Sequence, residues 1–353
     1  MSRSFLDGVL AQPDNLAQSA SVVRAALAGP VGARAAAAVE RGCLLAFGMG
    51  ASAHAAAGFA ASMRGTGRPA VAVSAADLDT GSPAGLAAAY LAISQSGRSR
   101  ETVEALAAAP AAGPSDAGSS TRLALTNEPD GPLGTLADVV LPLGCGADTR
   151  VSTLSYTATL QALGLLADRV TGRLSADWAA LPALASEVLS REVDALVATL
   201  VDVDSVDVVG SGVHVATAGA VALLLREAVH LPAAGFATRE YLHGPLETVG
   251  PRQAVLLFGS GREVPLAASL AGHGADVVLL TDVEIDEPAP HLRVFRLPPA
   301  PGLAGCVLDV LPVQLAAAAV AQRTGRAIEL RHMPADTKLS ANAEPRGVSM
   351  GPT

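Results

Sequence analysis

The sequence predicts an α/β protein with two similar halves, each a parallel sheet with helices on both faces in a three-layer αβα arrangement. Apolar runs without polar alternation are followed by small-residue loops and then by alanine-rich helical stretches, a pattern typical of buried parallel strands. The same order of elements starts again near Val201, and each half opens with a strand and a Gly-x-Gly loop. The chain has 353 residues, 50% of them hydrophobic, and is long enough for two such domains.

The elements follow one another in a regular order. A helical pattern occupies the N-terminus to about Val39. Apolar strands open the following segments of the first half: 43–60, 70–78, 89–106 and 123–143. A surface loop rich in Gly, Pro and Ser is expected at 109–122, and connecting helices between about Thr157 and Thr199. The strands of the second half open the following segments: 206–231, 254–270, 275–282 and 292–298. A last helix is expected at 307–325, before a polar tail.

These patterns predict four parts of the chain. They are an N-terminal helical segment at 1–40, a first subdomain at 41–190, a second subdomain at 200–330 and a C-terminal tail at 331–353.

Composition excludes several classes of function. A net charge of −9 with 3% aromatic residues offers neither a basic footprint nor stacking residues for nucleic acid. The longest apolar stretches, such as Val215 to Leu225, end in charge well short of the roughly 20 residues of a membrane span. The N-terminus lacks the pattern of a secretory signal, so we expect a cytoplasmic protein. The chain has an odd number of cysteines, Cys43, Cys145 and Cys306, and they lack CxxC spacing. We therefore expect buried thiols rather than a disulfide framework or a metal site.

Hydroxyl-rich loops follow several predicted strands. Ser94, Gln95, Ser96 and Ser99 lie where a strand leads into a helix, and a helix N-terminus can bind a phosphate without any lysine. Such serines also occur as ordinary caps and turns. The same placement recurs at Ser52 and at Ser152–Thr153, so hydroxyls collect at the strand ends where open α/β sheets bind ligands.

The segment Gly48-Met49-Gly50-Ala51-Ser52-Ala53 nearly fits the dinucleotide-binding fingerprint, so a nicotinamide enzyme is an alternative. That fold needs an acidic residue near the end of the second strand, whereas the segment from Ala70 ends with Ser74. Gly-x-Gly also recurs at 210–212 and 259–261, more often than one dinucleotide requires. The glycines therefore favour repeated tight strand-to-helix turns.

A second chemistry is expected in the second half. Glu227 ends an otherwise apolar helix, where a carboxylate must be paired, hydrogen-bonded or functional. His243 precedes Gly244-Pro245, and a lone loop histidine is more often structural than catalytic. Together, Glu227 and His243 offer a base that removes a C–H proton and an acid that protonates a sugar oxygen.

Five features of the sequence resemble the sugar isomerase (SIS) family, and within it the isomerase half of glucosamine-6-phosphate synthase. The resemblance covers roughly Arg41 to the C-terminus. Besides a lysine in the polar tail, it is carried by GMGASAHA at 48–55, SQSGRSRET at 94–102, VSTLSYTATLQ at 151–161 and LLLREAVHLPAAGFATREYLHGPL at 223–246.

The resemblance implies a fold of two SIS-type subdomains and a role for each matching residue. The residues that would bind the sugar phosphate are Gly50, Ser52, Ser94, Gln95, Ser96 and Ser99, with Ser152 and Thr153 near the sugar. Glu227 would move a proton between C1 and C2. His243 would assist ring opening, from the neighbouring subunit of a homodimer. Lys338, the only lysine of the chain, would reach the site from the tail.

The sequence departs from the family at three positions. Arg98 stands where the family has an acidic residue, and Leu154 and Leu224 stand where the synthase has lysines. No glutaminase domain or N-terminal catalytic cysteine is recognised, so we expect no ammonia transfer from glutamine.

The sequence thus predicts an isomerase or deaminase that acts on an amino-sugar 6-phosphate by removing the proton at C2, without a metal or organic cofactor. One alternative is a lyase or dehydratase that eliminates the C3 substituent of an N-acetylhexosamine 6-phosphate. A second alternative is a non-catalytic sugar-phosphate sensor.

Overall fold

The structure, a computed structural model, describes residues 3–78, 85–110, 120–285 and 289–340. Most of the expected surface loop and the tail beyond 340 lie outside these residues. Ten strands are described: β1 Leu44–Gly48, β2 Ala70–Ser74, β3 Ala89–Ile93, β4 Thr121–Thr126, β5 Val139–Pro142, β6 Ser205–Gly210, β7 Ala233–Ala237, β8 Gln253–Phe258, β9 Asp276–Thr281 and β10 Leu292–Arg296. They form two five-stranded sheets that are parallel throughout, which confirms the predicted fold class.

The two sheets have the same strand order. The first runs β2-β1-β3-β4-β5, and the second runs β7-β6-β8-β9-β10 when read in the matching direction. In each half, the chain therefore changes direction across the sheet between its first and third strands. Open α/β sheets bind ligands beyond the carboxyl ends of the strands at such a switch point. The weak internal similarity of the sequence thus corresponds to a repeated topology.

Helices connect the strands and cover the sheets. Their bounds are α1 Phe5–Leu10, α2 Gln12–Ala28, α3 Pro30–Glu40, α4 Ala51–Gly65, α5 Arg100–Ala108, α6 Pro132–Leu136, α7 Leu154–Thr171, α8 Leu181–Leu189, α9 Asp194–Val201, α10 Val215–Ala228, α11 Thr238–Tyr241, α12 Glu263–Gly272 and α13 Gly302–Thr324. Every residue of β1, β3 and β8 is buried. Because successive side chains of a strand face opposite sides, both faces of the sheets are covered.

Two elements differ from the sequence prediction. β7 is absent from the predicted strands, because it is a partly exposed edge strand, AAGFA, in which four of the five residues are alanine or glycine and have low strand propensity. α13 begins five residues earlier than predicted, directly after Pro301, and Pro312 lies inside it. Its end was predicted correctly, since Gly325 adopts the left-handed conformation that ends many helices.

Helix α13 is long and apolar enough to cross a membrane by those two criteria alone. However, 83% of its most apolar window is buried within the protein. Among its few buried polar side chains, Gln314 accepts a hydrogen bond of 2.7 Å from Gln12. α13 is therefore a core helix, and it is longer than the Val215 to Leu225 stretch singled out from the sequence.

The chain forms two compact units. One contains the first sheet and comprises the described residues within 17–146, 158–175 and 332–340. Its core includes Phe47, Tyr90, Val103 and Leu106. The other contains the second sheet and comprises the described residues within 3–16, 147–157 and 176–331. Its core includes residues of β6, β8 and β9 together with α12.

Candidate functional site

The loop after β1 is shaped by two glycines. Gly50 caps α4 with a φ of +54°, a conformation that favours glycine. A Cβ on Gly48 would lie 2.7 Å from the Ile93 carbonyl oxygen and 2.8 Å from the Ser52 Cβ. The chain can therefore turn sharply into α4. Ser52, half-buried, lies in the first turn of this helix, where backbone N–H groups lack acceptors within the helix.

The loop after β3 is a compact, hydrogen-bonded turn. Gly97 has a φ of +61°, and its N–H donates to the Ser94 carbonyl over 3.0 Å. The Gln95 carbonyl accepts a 3.0 Å bond from the Asn127 N–H. Ser99 is the N-cap residue of α5, but its hydroxyl does not cap the helix and instead accepts a long 3.4 Å bond from the Ser94 hydroxyl. This hydroxyl and the first N–H groups of α5 are therefore suited to bind an anion.

These two loops lie at one place on the first sheet. Gly48 pairs with Ile93 in the parallel register of β1 and β3, so the residues that follow the two strands start at the same level. This is the switch point of the sheet. The structure therefore brings together the predicted phosphate-binding residues of both loops, at a location typical of ligand sites in this architecture.

The C-terminal tail is bound to the β3–α5 loop. Lys338 forms an isolated antiparallel bridge with Ser99, and the Leu339 N–H donates to the Arg98 carbonyl over 2.9 Å. The Arg100 guanidinium donates to the Asp336 carbonyl over 2.7 Å. Leu339 packs against the apolar core of this unit, whereas the Lys338 side chain is exposed. The only lysine of the chain is thereby held beside the predicted phosphate loop.

The loop before α7 is organised by Asp148, which the sequence analysis did not identify. Its carboxylate accepts bonds from the Thr153 N–H and hydroxyl, the latter over 2.7 Å, and from the Ser155 N–H and hydroxyl. Thr153 is fully buried, so its hydroxyl serves this contact, while Ser152 is half-buried. The sequence signal for Asp148 is a carboxylate a few residues before a hydroxyl-rich helix start.

Glu227 lies in the last turn of α10, in largely apolar surroundings. Leu224, Leu225 and Ala228 are buried, whereas Arg226 is exposed and bonds the Ala233 carbonyl. Burial raises the pKa of the half-buried Glu227 carboxyl to about 7. Among the described residues, none forms a hydrogen bond or ion pair with this carboxylate. A carboxyl of this kind can both take and return a proton near neutral pH.

His243 is exposed in the turn after α11, where its N–H donates to the Glu240 carbonyl over 2.9 Å. Gly244, at a φ of +137°, turns the chain toward Pro245. No hydrogen bond links His243 to Glu227 within the part of the chain that the structure describes. Leu154 and Leu224 are both buried, with exposed fractions of 0% and 5%.

An open cleft of about 1260 Å³ borders the residues that precede Ser152. Residues 147–151 form one side of it, and residues of α13 also line it. Its charged lining consists of Arg3, Arg150, Arg191 and Arg326 with Asp148, Glu192 and Glu329. Because acidic side chains nearly balance the arginines, the cleft does not by itself select an anion.

Comparison with known proteins places these features in a family. The model of the SIS domain matches residues 40–169, which hold the predicted phosphate loops. The isomerizing glutamine–fructose-6-phosphate aminotransferase of Corynebacterium efficiens is 30% identical over 261 residues. This match covers 67% of the chain but only 41% of that relative.

Solved structures show the same fold along nearly the whole chain. The C-terminal domain of glucosamine-fructose-6-phosphate aminotransferase from Francisella tularensis has a TM-score of 0.79 at 19% identity, covering 94% of this chain and 98% of that one. Glucosamine-6-phosphate deaminase from Thermotoga maritima has a TM-score of 0.70 at 18% identity, covering 92% and 96%. The chain therefore contains a SIS domain and resembles, over most of its length, the C-terminal domain of glucosamine-fructose-6-phosphate aminotransferase.

Proposed function

We propose that this protein is a sugar-phosphate isomerase or deaminase that removes the C2 proton of an amino-sugar 6-phosphate. The observation that carries the proposal is Glu227, whose carboxyl has no hydrogen bond or ion pair among the described residues and whose pKa burial raises to about 7. An acid kept near half-ionisation at neutral pH is matched to moving a proton between two carbon atoms. The names of the relatives, an isomerizing aminotransferase and a deaminase, fit this class of reaction.

The substrate's phosphate is assigned to the first sheet. Gly50, Ser52 and the loop from Ser94 to Ser99 supply helix N-termini and hydroxyls at the switch point, and Lys338 is tied to the same loop. Ser152 and Thr153 are assigned to the sugar by resemblance, with Thr153 acting through its buried contact with Asp148. His243 is assigned to ring opening in a homodimer, also by resemblance.

The test is proton NMR in D2O with glucosamine 6-phosphate, N-acetylglucosamine 6-phosphate and fructose 6-phosphate. The expected result is deuterium at C2 of the aldose or at C1 of a ketose product, with ammonium released if the enzyme is a deaminase. Glu227→Gln should abolish the exchange while substrate binding persists. Glu284→Gln, which changes an exposed carboxylate, is the matched control and should remain active. A fully active Glu227→Gln variant would refute the assignment, and binding without exchange would indicate a sensor.

Elimination at C3 is a second candidate, favoured by the buried leucines at 154 and 224. They replace the polar groups of the related synthase with apolar side chains, so the groups that handle the intermediate differ. The same base could then expel a C3 substituent. In the NMR experiment this reaction gives a new vinylic signal and loss of the C3 oxygen from the N-acetylated substrate. An amide nitrogen is a poor leaving group, so that substrate favours elimination over deamination.

A further inference from the structure

The two sheets are equivalent, residue by residue, where the first strand of each half meets its helix. Gly48, Gly50 and Ser52 follow the same spacing as Gly210, Gly212 and His214. The middle glycines have φ of +54° and +60°. A Cβ on the first glycine would lie 2.8 Å from the Ser52 Cβ in one half and 2.9 Å from the His214 Cβ in the other. His214 therefore occupies the place in the second half that Ser52 occupies in the first.

His214 lies beside two potential metal ligands on α13. Its Nδ1 is 2.7 Å from Asp309 Oδ2, and the Thr217 hydroxyl donates to the same oxygen over 2.9 Å. Cys306 and Asp309 are three residues apart and lie on one face of the helix. One donor atom from each of His214, Cys306 and Asp309 lies within 4.8 Å of the other two. Cys306 and Asp309 are buried, and His214 is half-buried.

A small polar cavity of about 60 Å³ adjoins this cluster at the carboxyl ends of β8 and β9. His214 and Asp309 line it together with Ser260, Thr281 and Asp282. The Ser260 hydroxyl bonds Thr281 over 3.0 Å and also donates to Asp282. The volume holds about two water molecules.

The charge around the cavity argues against a second phosphate site. Asp282 and Asp309 face it, and a third carboxylate, that of buried Glu263, lies against Gly259 in the same loop. Only His214 offsets these carboxylates within the described lining. The second switch point thus keeps the architecture of the first but has an electrostatic character that suits a cation.

We propose that His214, Cys306 and Asp309 bind a divalent transition-metal ion, zinc by preference, with a fourth coordination position open to the cavity. Thiolate, imidazole and carboxylate together suit zinc better than magnesium or calcium. Binding displaces the thiol proton of Cys306, which otherwise points to the Val213 carbonyl at 3.4 Å. Thr217 holds the Asp309 carboxylate from the outer shell. Zinc ligands lie roughly 3.3–3.8 Å apart, so small side-chain rotations complete the site.

The proposal departs from the sequence-based expectation of no metal site. That expectation rested on the absence of closely spaced cysteines. Here one ligand lies in the turn after β6 and the other two lie on α13. His214 and Asp309 are 95 residues apart in the chain, so no local sequence motif indicates the site. Cys145, also buried, and half-buried Cys43 belong to the unit of the first sheet and offer matched controls.

The experiment measures metal in the full-length protein, produced without a polyhistidine tag or chelator. Mass spectrometry of the metal content should find about one zinc ion per chain. Reconstitution with cobalt should give a near-ultraviolet thiolate-to-cobalt band. Cys306→Ser should lose this band and weaken zinc binding by more than the roughly 10–100-fold typical of outer-shell changes. Cys145→Ser should retain both.

The proposal is overturned by a wild-type protein that takes up neither zinc nor cobalt, or by Cys306→Ser and Cys145→Ser variants that bind metal alike. If Cys306→Ser does not fold, the proposal is tested instead by the cobalt band of the wild-type protein and of the Cys43→Ser and Cys145→Ser variants. A band that persists in both variants must come from Cys306. His214→Gln should also weaken zinc binding, which tests a second ligand independently. Stabilisation of the protein by inorganic phosphate instead of zinc would contradict the cation assignment.

Discussion

The Glu227 carboxyl should destabilise the folded protein above neutral pH, and replacing it by glutamine should remove this effect. Burial raises its folded-state pKa to about 7 from the ordinary value of 4.5. The unfolded chain therefore ionises first as pH rises, so stability falls between about pH 4.5 and 7 and is constant above that range. This difference in pKa corresponds to about 3 kcal/mol, and because the side chain is only half-buried we expect about 2 kcal/mol.

The assay is urea unfolding of the wild type and Glu227→Gln at pH 5 and pH 8. Fluorescence of Trp178, the only tryptophan, reports on the unit that contains Glu227, where this side chain is 2% exposed. We expect similar stabilities at pH 5 and a variant about 2 kcal/mol more stable at pH 8. Glu284→Gln, at an exposed position, should follow the wild type at both pH values.

The reasoning is refuted if the stability difference between the wild type and Glu227→Gln is the same at pH 5 and pH 8. Such a result would mean that the carboxyl ionises normally in the folded protein. It would also remove the physical basis for its proposed role as a base poised near neutral pH.

Three further predictions concern the two units. Gly97→Val should weaken sugar-phosphate binding about tenfold in calorimetry, because valine is strained at a φ of +61°; unchanged affinity would exclude this loop from the phosphate site. Asp148→Ala should lower the free energy of unfolding in the same urea titration by about 3 kcal/mol, since buried Thr153 loses its acceptor. Asp148→Asn keeps an acceptor oxygen and should lower the free energy of unfolding by less. Mixing inactive Glu227→Gln and His243→Ala proteins should restore roughly a quarter of wild-type activity if each site combines residues of two subunits, and none if it does not.

The fold was predictable because its strands are buried on both faces. β3 reads AYLAI, an apolar run that needs no knowledge of its neighbours to be recognised as an internal strand. β7 reads AAGFA and, among the described strands, pairs with β6 alone, so its conformation is set by that pairing rather than by its own residues. The early start of α13 likewise depends on Gly302, whose φ of +60° is not evident from its sequence neighbours.

The candidate site was predictable where its chemistry is local. The Ser94 to Ser99 loop follows its strand directly, so sequence alone places its hydroxyls at a helix start. The apolar surroundings of Glu227 were visible in the same way, and the direction of its pKa follows from them. Asp148 was missed, because its partners include backbone N–H groups up to seven residues away. The cluster at His214 depends on a residue 95 positions later.

The bond between the tail and the β3–α5 loop has a consequence for how the protein is made. Arg100 and Asp336 are 236 residues apart, and their contact joins the middle of the chain to its last described segment. During synthesis the first sheet emerges early, and N-terminal domains generally fold first. The contacts between the tail and the predicted phosphate loop can nevertheless form only after residues 336–339 have left the ribosome. All strands of the second sheet are therefore synthesised before the tail can hold this loop of the first sheet in its final form.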